Sequence, residues 1–465
     1  MTRQRWTLLV VCAATAMLML DIAVVNTALS DIGADLDAGL SGLQWVVDAY
    51  TVALAAVVLT AGSIADRLGR KRVFVGGLVL FSASSAACAF ASDIVMLDVA
   101  RAVQGLGAAA MFACSLAILA DAFPGDAERA SALAAYGASI GAAFAVGPLV
   151  GGALTTGLGW EWIFLVNVPI GIALIAITLM YVRESVDPLA RPIDWPGQVA
   201  LGAALVFIVT GLLRGNEEGW GSGQIVLLLG AGTAFLITFA VIEIRVAQPM
   251  LPLGLFRNRA FTGAQVAAFA ISSSFFAVFL YTTLYLQQIL GLSAIEAGLV
   301  YLPATIVMFL VSGATASLGD KVSQPAMVTI GLLLVGVGMA LAVMVQVDSS
   351  WTILLPTMVI AMIGTGLFNP AVSAIALSSV PMRDAGLAAG VNDTFRQAGI
   401  AVGVAGLGAL FPSGAALGGG DPQAYVDGFH NAAIVCAVIA ISGAVVFAAL
   451  MGRRSVAAEA VPEAA

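Results

Sequence analysis

Residues 62–72 read Gly62-Ser63-Ile64-Ala65-Asp66-Arg67-Leu68-Gly69-Arg70-Lys71-Arg72, a charged turn between two apolar runs near 44–65 and 73–92. Each run has about the 20 residues that a helix needs to cross a hydrocarbon core. A weaker copy, Ala316-Ser317-Leu318-Gly319-Asp320-Lys321-Val322-Ser323, follows 254 residues later, again where an apolar run ends in charge. At the same offset Leu133-Ala134-Ala135 answers Leu387-Ala388-Ala389, and Gly105-Leu106-Gly107 has a looser echo in Gly364-Thr365-Gly366. Duplicated bundles with a cavity between them are a transporter architecture.

The rest of the chain supports a membrane reading. Of its 465 residues, 61% are apolar and 10% charged. Soluble domains run at about 45–50% and 25%, so a water-soluble fold is excluded. Apolar runs fall near 7–29, 44–65, 73–92, 94–120, 131–156, 162–182, 196–214, 224–244, 261–289, 297–318, 326–346, 351–379, 386–410 and 428–450. Their length argues for helices rather than barrel strands. The first run continues through Asp21 to Leu29 without a convincing cleavage site, so it is read as span 1 rather than a signal peptide. The expected fold is an all-α integral membrane protein with fourteen transmembrane helices. Two six-helix bundles, 1–185 and 256–465, would flank a 186–255 linker carrying two extra spans.

An even count puts both termini on one side. If that side is cytoplasmic, it collects Arg3, Arg5, Arg67, Arg70, Lys71, Arg72, Arg129, Arg183, Arg191, Arg245, Arg257, Arg259, Lys321, Arg383, Arg453 and Arg454. The other side collects only Arg214, among acids such as Asp31, Asp35, Asp37, Glu217, Glu218, Asp421 and Asp427. The excess of basic residues on cytoplasmic loops therefore sets the expected orientation.

Other function classes lose ground. Cys12, Cys88, Cys114 and Cys436 lie far apart in apolar runs, and His430 is the single histidine, so no zinc, haem or disulfide pattern exists. No nucleic-acid signature is present. The only lysines, Lys71 and Lys321, complete no phosphate-binding loop, which argues against ATP as energy source. A membrane-embedded enzyme would need a nucleophile–base pair or metal cluster at one depth, and none is visible. No cofactor is expected.

The motifs resemble the major facilitator superfamily, and more narrowly its fourteen-helix drug–proton antiporters of the QacA/EmrB kind. Gly62, Asp66, Arg67, Gly69 and Arg70 stand in the signature of the span 2–3 loop. Leu97-x-x-x-Arg101-x-x-Gln104-Gly105 matches the span 4 motif, and Gly137, Gly141, Gly147, Pro148, Gly151 and Gly152 match the antiporter motif of span 5. Leu20-Asp21 with Val25-Asn26 and Ala28-Leu29 fits span 1, with Ser30 where proline is usual. Trp160-Glu161-Trp162 through Asn167-Val168-Pro169 fits the span 5–6 signature, with Glu161 where a basic residue is common. Tyr285-Leu286-Gln287 through Gly291, then Ala297-Gly298 and Pro303, and Arg396-Gln397-x-Gly399 add the C-terminal half. The resemblance implies alternating access, a proton gradient as energy source, small amphipathic organic substrates (cationic ones included) and a span 5 bend that seals the bundles against proton leak. A dedicated exporter of one metabolite or self-made antibiotic is the alternative. Arginine outnumbers lysine 17 to 2, in keeping with a GC-rich, actinobacterial genome.

Charges inside spans are the sharpest local signal, because lipid tolerates them only when they face a cavity or a partner. Helical rise places Asp21 about 12 Å, Asp48 about 8 Å and Arg101 about 10 Å from the outer ends of their spans. Two acids and one base in a layer leave one carboxylate over, a candidate for protonation; a static pair with Arg101 is the plainer reading. Asp393 and Arg396 are three residues apart on span 13 and either face each other and neutralise, or add a second proton-coupling or substrate site. Asp66 either pairs across the bundle interface in one conformation or merely anchors the basic loop. The span 5 glycines also suit ordinary close packing. Asp98 reads as solvated, Glu243 as an interfacial ion pair with Arg245, and His430 as incidental. Phe275, Phe276, Phe279, Tyr281 and Tyr285 either line a drug cavity or pack between helices and lipid.

Overall fold

The computed structural model describes residues 2–187, 192–319, 321–381, 384–412 and 420–452. Asp320, Arg191, Arg383, Arg453 and Arg454, read above as charged-turn or cytoplasmic residues, lie outside them. The elements are α1 (Arg3–Asp35), α2 (Leu40–Leu68), α3 (Arg70–Ala89), α4 (Ile94–Ala122), α5 (Asp126–Leu158), α6 (Trp162–Tyr181), α7 (Trp195–Glu218) and α8 (Gly223–Arg245). They continue with α9 (Arg259–Ile289), α10 (Ala294–Leu318), α11 (Gln324–Leu341), α12 (Trp351–Ser378), α13 (Ala385–Gly408) and α14 (Pro422–Gly452). Among the described residues, thirteen helices are long and apolar enough to cross a membrane. The long helix outside that set is α13, whose 24 residues include Asn392, Asp393, Arg396 and Gln397.

Local chemistry sets the boundaries. Asp93, Asp194, Ser222 and Asn258 cap α4, α7, α8 and α9 through their side chains. Ser293 and Glu296 form a reciprocal capping box on α10. Gly69 turns α2 into α3 at φ +111, a backbone that L side chains rarely adopt. Two stretches of α9, Ser272–Phe276 and Tyr285–Ile289, widen into π-helix, a distortion frequent at functional sites.

Side-chain contacts sort the helix ends. Gln4 donates to the Ala122 carbonyl, Trp6 stacks on Tyr181 at 5.0 Å, Lys71 Nζ donates to the Leu179 carbonyl, and Asn258 donates to the Ser379 carbonyl. The start of α1, the α2–α3 turn and the ends of α4 and α6 are thus drawn together in the first half, and the start of α9 meets the end of α12 in the second. We call this the basic end. At the opposite end Trp160 Nε1 donates to Asp35, and Asn216 donates to the Phe411 carbonyl.

Within the first six helices α4 packs on α2 and α3, α1 on α5, and α3 on α6; α11, α12 and α14 form the main contacts of the last six. The two groups meet along α5–α10 and α2–α13, while α7 and α8 pair and touch α2 and α13 through α7. In its most apolar window α9 is 83% buried and α8 only 17%, so α9 is central and α8 peripheral.

Candidate functional site

Asp21, Arg101, Gln104, Ser85 and Asn167 form one hydrogen-bonded network inside the first group of helices. Arg101 Nη1 lies 2.5 Å from Asp21 Oδ2 and 2.6 Å from Gln104 Oε1, and its Nε donates to the Val46 carbonyl at 3.0 Å. Asp21 Oδ1 also accepts from Gln104 Nε2 at 2.9 Å and from Asn167 Nδ2 at 3.0 Å. Both amides reach Ser85, whose hydroxyl donates to the Phe164 carbonyl. The guanidinium lies 4.3 Å over the Tyr50 ring. Asp21 and Arg101 are each 1% exposed, and each has several polar partners, so their geometry is that of a held ion pair.

Asp48 does not join them. Val46 and Tyr50 of α2 face Arg101, and a residue two places from each lies about 200° around the helix. Asp48 therefore turns to the other side, as does Gln44 one turn earlier, whose Nε2 bonds the Tyr281 hydroxyl at 2.6 Å and the Val404 carbonyl at 3.0 Å. That side is the seam with α9 and α13. Asp48 is 0% exposed, and neither carboxyl oxygen has a hydrogen-bond partner. The expected leftover carboxylate is present in the layer, but it sits between helix groups instead of beside Arg101.

Asp393 and Arg396 sit half-buried on α13. Of the two readings open for them, a direct ion pair does not form: among the described residues the ion pairs are Asp66–Arg70, Arg72–Glu184, Asp21–Arg101 and Arg214–Glu218. Arg396 instead lies 5.9 Å from the Phe276 ring, and Tyr136 of α5 is within electrostatic reach of both charges. Phe276 and Phe279 meet Phe144 of α5 at 5.4 and 6.1 Å and Tyr281 bonds Gln44 of α2, so these three of the five aromatics reach the seam. Tyr281 donates to the Val404 carbonyl, Tyr285 bonds the Gln346 carbonyl, and Phe275 and Phe279 line an apolar cavity among α9, α10, α11, α12 and α14.

The α2–α3 turn is held locally. Asp66 pairs with Arg70 at 2.9 Å, and its partner is thus four residues away in its own turn. Glu184, past the end of α6, accepts from the Lys71 amide at 3.0 Å and pairs with Arg72 at 3.6 Å. A Cβ on Gly69 would come within 2.6 Å of the Glu184 carboxylate. Arg67 is exposed, and a Cβ on Gly62 would have only Ala113 nearby, at 3.9 Å. The α5 glycines divide. Gly147 and Gly151 admit α1 at Ala23, Val24 and Thr27, whereas Gly152 admits the α10 backbone at Ala294. The Pro148 carbonyl lies against Gly298 of α10. Close packing does not extend to the other pair: a Cβ on Gly137 would meet nothing within 4 Å, and one on Gly141 only Phe309 at 3.6 Å.

Two minor expectations change. Asp98 is half-buried with Oδ1 buried and unpartnered, so it is only partly solvated. Glu243 is 3% exposed and accepts from the Leu251 amide, while Arg245 is exposed and unpaired with it. His430 bonds the Val345 carbonyl at 2.6 Å. Glu184, Ser85 and Tyr136 carry no motif that singles them out; Gln104 and Asn167 stood in quoted motifs without an assigned role.

The Major Facilitator Superfamily model matches residues 11–404 and 316–465. The chain is 34% identical to the multidrug resistance protein Stp of Mycobacterium tuberculosis over 85% of its length and 73% of that protein's. It is 34% identical to the puromycin resistance protein pur8 of Streptomyces alboniger (94% and 89%), and 32% to a methylenomycin A resistance protein of Streptomyces coelicolor (85% and 83%). In fold it is similar to the peptide transporter POT in complex with sulfate, with TM-score 0.67, 17% identity and coverage of 96% and 95%. These are membrane transporters rather than enzymes, and the helices here suit a multi-pass plasma-membrane protein. The chain belongs to the Major Facilitator Superfamily.

Proposed function

We propose that the chain exports amphipathic organic molecules, drugs and antibiotics among them, in exchange for protons. It works as a fourteen-helix antiporter of the QacA/EmrB kind, with α13 as the fourteenth span. Residues 1–185 and 256–465 act as the two bundles and 186–255 as the linker with the extra pair α7–α8. The basic end faces the cytoplasm with both termini, in keeping with the excess of Arg and Lys there. The relatives' names support the substrate class, and the drug and antibiotic resistance proteins among them cover most of the chain. A dedicated exporter of one antibiotic is the second reading, favoured by the puromycin and methylenomycin relatives; the range of compounds exported separates the two.

One observation carries the coupling: Asp48 is buried on the seam with neither oxygen partnered. A bare carboxylate in an apolar site is costly, whereas a protonated carboxyl is much less so. Opening the seam to water, or bringing a cationic substrate beside Asp48, stabilises the ionised form and releases the proton. Proton and substrate thus compete for one charge, which is the requirement for exchange. Asp21 acts on this step only as the partner that keeps Arg101 neutralised. The test is uptake into proteoliposomes under an imposed pH gradient. Asp48→Asn should abolish gradient-driven uptake while retaining substrate binding with a flattened pH dependence. Normal pumping with unchanged pH dependence would refute the coupling role.

A further inference from the structure

The seam presents two opposite charges that lie in each other's field but form no direct ion pair. Asp393 and Arg396 are separated by one helical turn of α13, which puts their Cβ atoms about 5–6 Å apart. Both are half-buried, and neither side chain has a hydrogen bond or ion pair with the protein among the described residues. The contrast with Asp21 and Arg101, which are closed by partners on all sides, is direct. Around the two free heads stand aromatic groups from both halves. Phe276 lies under the guanidinium at 5.9 Å, and Phe144 of α5 is edge-on to Phe276 at 5.4 Å.

Beyond these rings the seam closes toward the end opposite the basic one. Gln44, Tyr281 and Val404 bond across it, Gln287 donates to the Thr27 carbonyl at 2.8 Å, and Gly298 lies on Pro148. The free charges therefore sit on the basic-end side of an aromatic floor. A monovalent cation would satisfy Asp393 and leave Arg396 bare; an anion would do the reverse. A molecule carrying both an ammonium and a carboxylate satisfies both at once, and its apolar body has rings to lie on.

The geometry points to a substrate-binding subsite for zwitterions: an α-amino acid head held between Asp393 and Arg396, with an aromatic body against Phe276 and Phe144. Asp393 takes the ammonium and Arg396 the carboxylate. This assignment rests on the exporter reading above and narrows its substrate class.

The test uses the full chain in nanodiscs and three probes with one aromatic body, read by dansyl fluorescence. Nε-dansyl-lysine carries both head charges, its methyl ester only the ammonium, and its Nα-acetyl derivative only the carboxylate. The zwitterion should bind about tenfold tighter than either, one good charge contact being about a factor of ten. Asp393→Asn should erase its advantage over the Nα-acetyl anion, and Arg396→Gln its advantage over the methyl ester. Uncharged dansylamide should bind all three proteins alike, which separates a lost head contact from a damaged fold. If it does not, the charge-keeping Asp393→Glu and Arg396→Lys carry the test: a retained preference supports the subsite, and a lost one overturns it. Equal binding of all three heads by the wild type also overturns it. In that event continued export of ethidium by cells carrying the protein leaves the exporter reading standing.

Discussion

Replacing Asp21 by Asn keeps the shape of the side chain and removes its charge, so it isolates what the Asp21–Arg101 pair contributes. Arg101 is 1% exposed and has no second acid among its hydrogen-bond partners, which are Gln104, the Val46 carbonyl and Asp21 itself. In Asp21→Asn the amide oxygen can still accept from Gln104 and Asn167, but an N–H donor then points at the Arg101 Nη1 donor. Removing one member of a buried pair costs about 3–5 kcal/mol, because the other charge is left uncompensated. Asp66→Asn provides the internal reference: Asp66 is 36% and Arg70 21% exposed, and such a pair contributes only about 0–1 kcal/mol. The assay is denaturant-induced unfolding in detergent, followed by tryptophan fluorescence. The double variant Asp21→Asn/Arg101→Gln should be more stable than Asp21→Asn alone, because the stranded charge leaves with its partner. Two results would refute the reasoning: a cost for Asp21→Asn no larger than that of Asp66→Asn, or a double variant that costs the sum of the singles.

Further outcomes are expected from the same geometry. In a Cys-less background, cysteines at positions 3 and 71 should react with an impermeant maleimide only from the cytoplasmic side, and those at 35, 217 and 421 from outside. Outside labelling at 71 would overturn the proposed orientation. Gly298→Val places a side chain against the Pro148 carbonyl, so it should hold α5 and α10 apart, abolish export and raise the accessibility of a cysteine at Thr27, with the protein still folded. Unchanged export by Gly298→Val would show that this contact does not seal the seam.

Much of the architecture is legible in the sequence because each apolar run has a sharp physical end. Asp93, Asp194 and Ser293 cap helices at the starts of runs, and Gly69 supplies a turn that other residues resist. α13 is the difficult case. Its polar residues, which lower its hydropathy, are the ones that face the seam or a neighbouring polar group, as Asn392 does in bonding Gln265 at 3.1 Å. Glu184 could not be singled out, since its role depends on Gly69 and Lys71, more than a hundred residues away in sequence. Similarly, Gly137/Gly141 and Gly147/Gly151 have the same spacing, but only the second pair meets a neighbouring helix closely. Spacing records that a backbone can be approached; the tilt of the helices decides where it is.

The charged layer marks the same limit more sharply. Rise per residue gives depth from sequence alone, so Asp21, Asp48 and Arg101 can be placed at similar heights. Depth does not determine which side of α2 meets α4. Once Val46 and Tyr50 are known to face Arg101, the position of Asp48 follows from helical rotation, and its isolation from the ion pair follows with it. The antiporter reading depends on this division. A carboxylate locked to Arg101 inside one bundle experiences little change when the bundles rock, because its partners move as one body. A carboxyl on the seam exchanges its surroundings at each half-cycle. Gln44, one turn away, is bonded across that seam to Tyr281 of α9 and Val404 of α13, so separating α2 from both helices must break those bonds and admit water to Asp48. The acid without a partner, rather than the acid with several, is therefore the one whose protonation can follow the conformation.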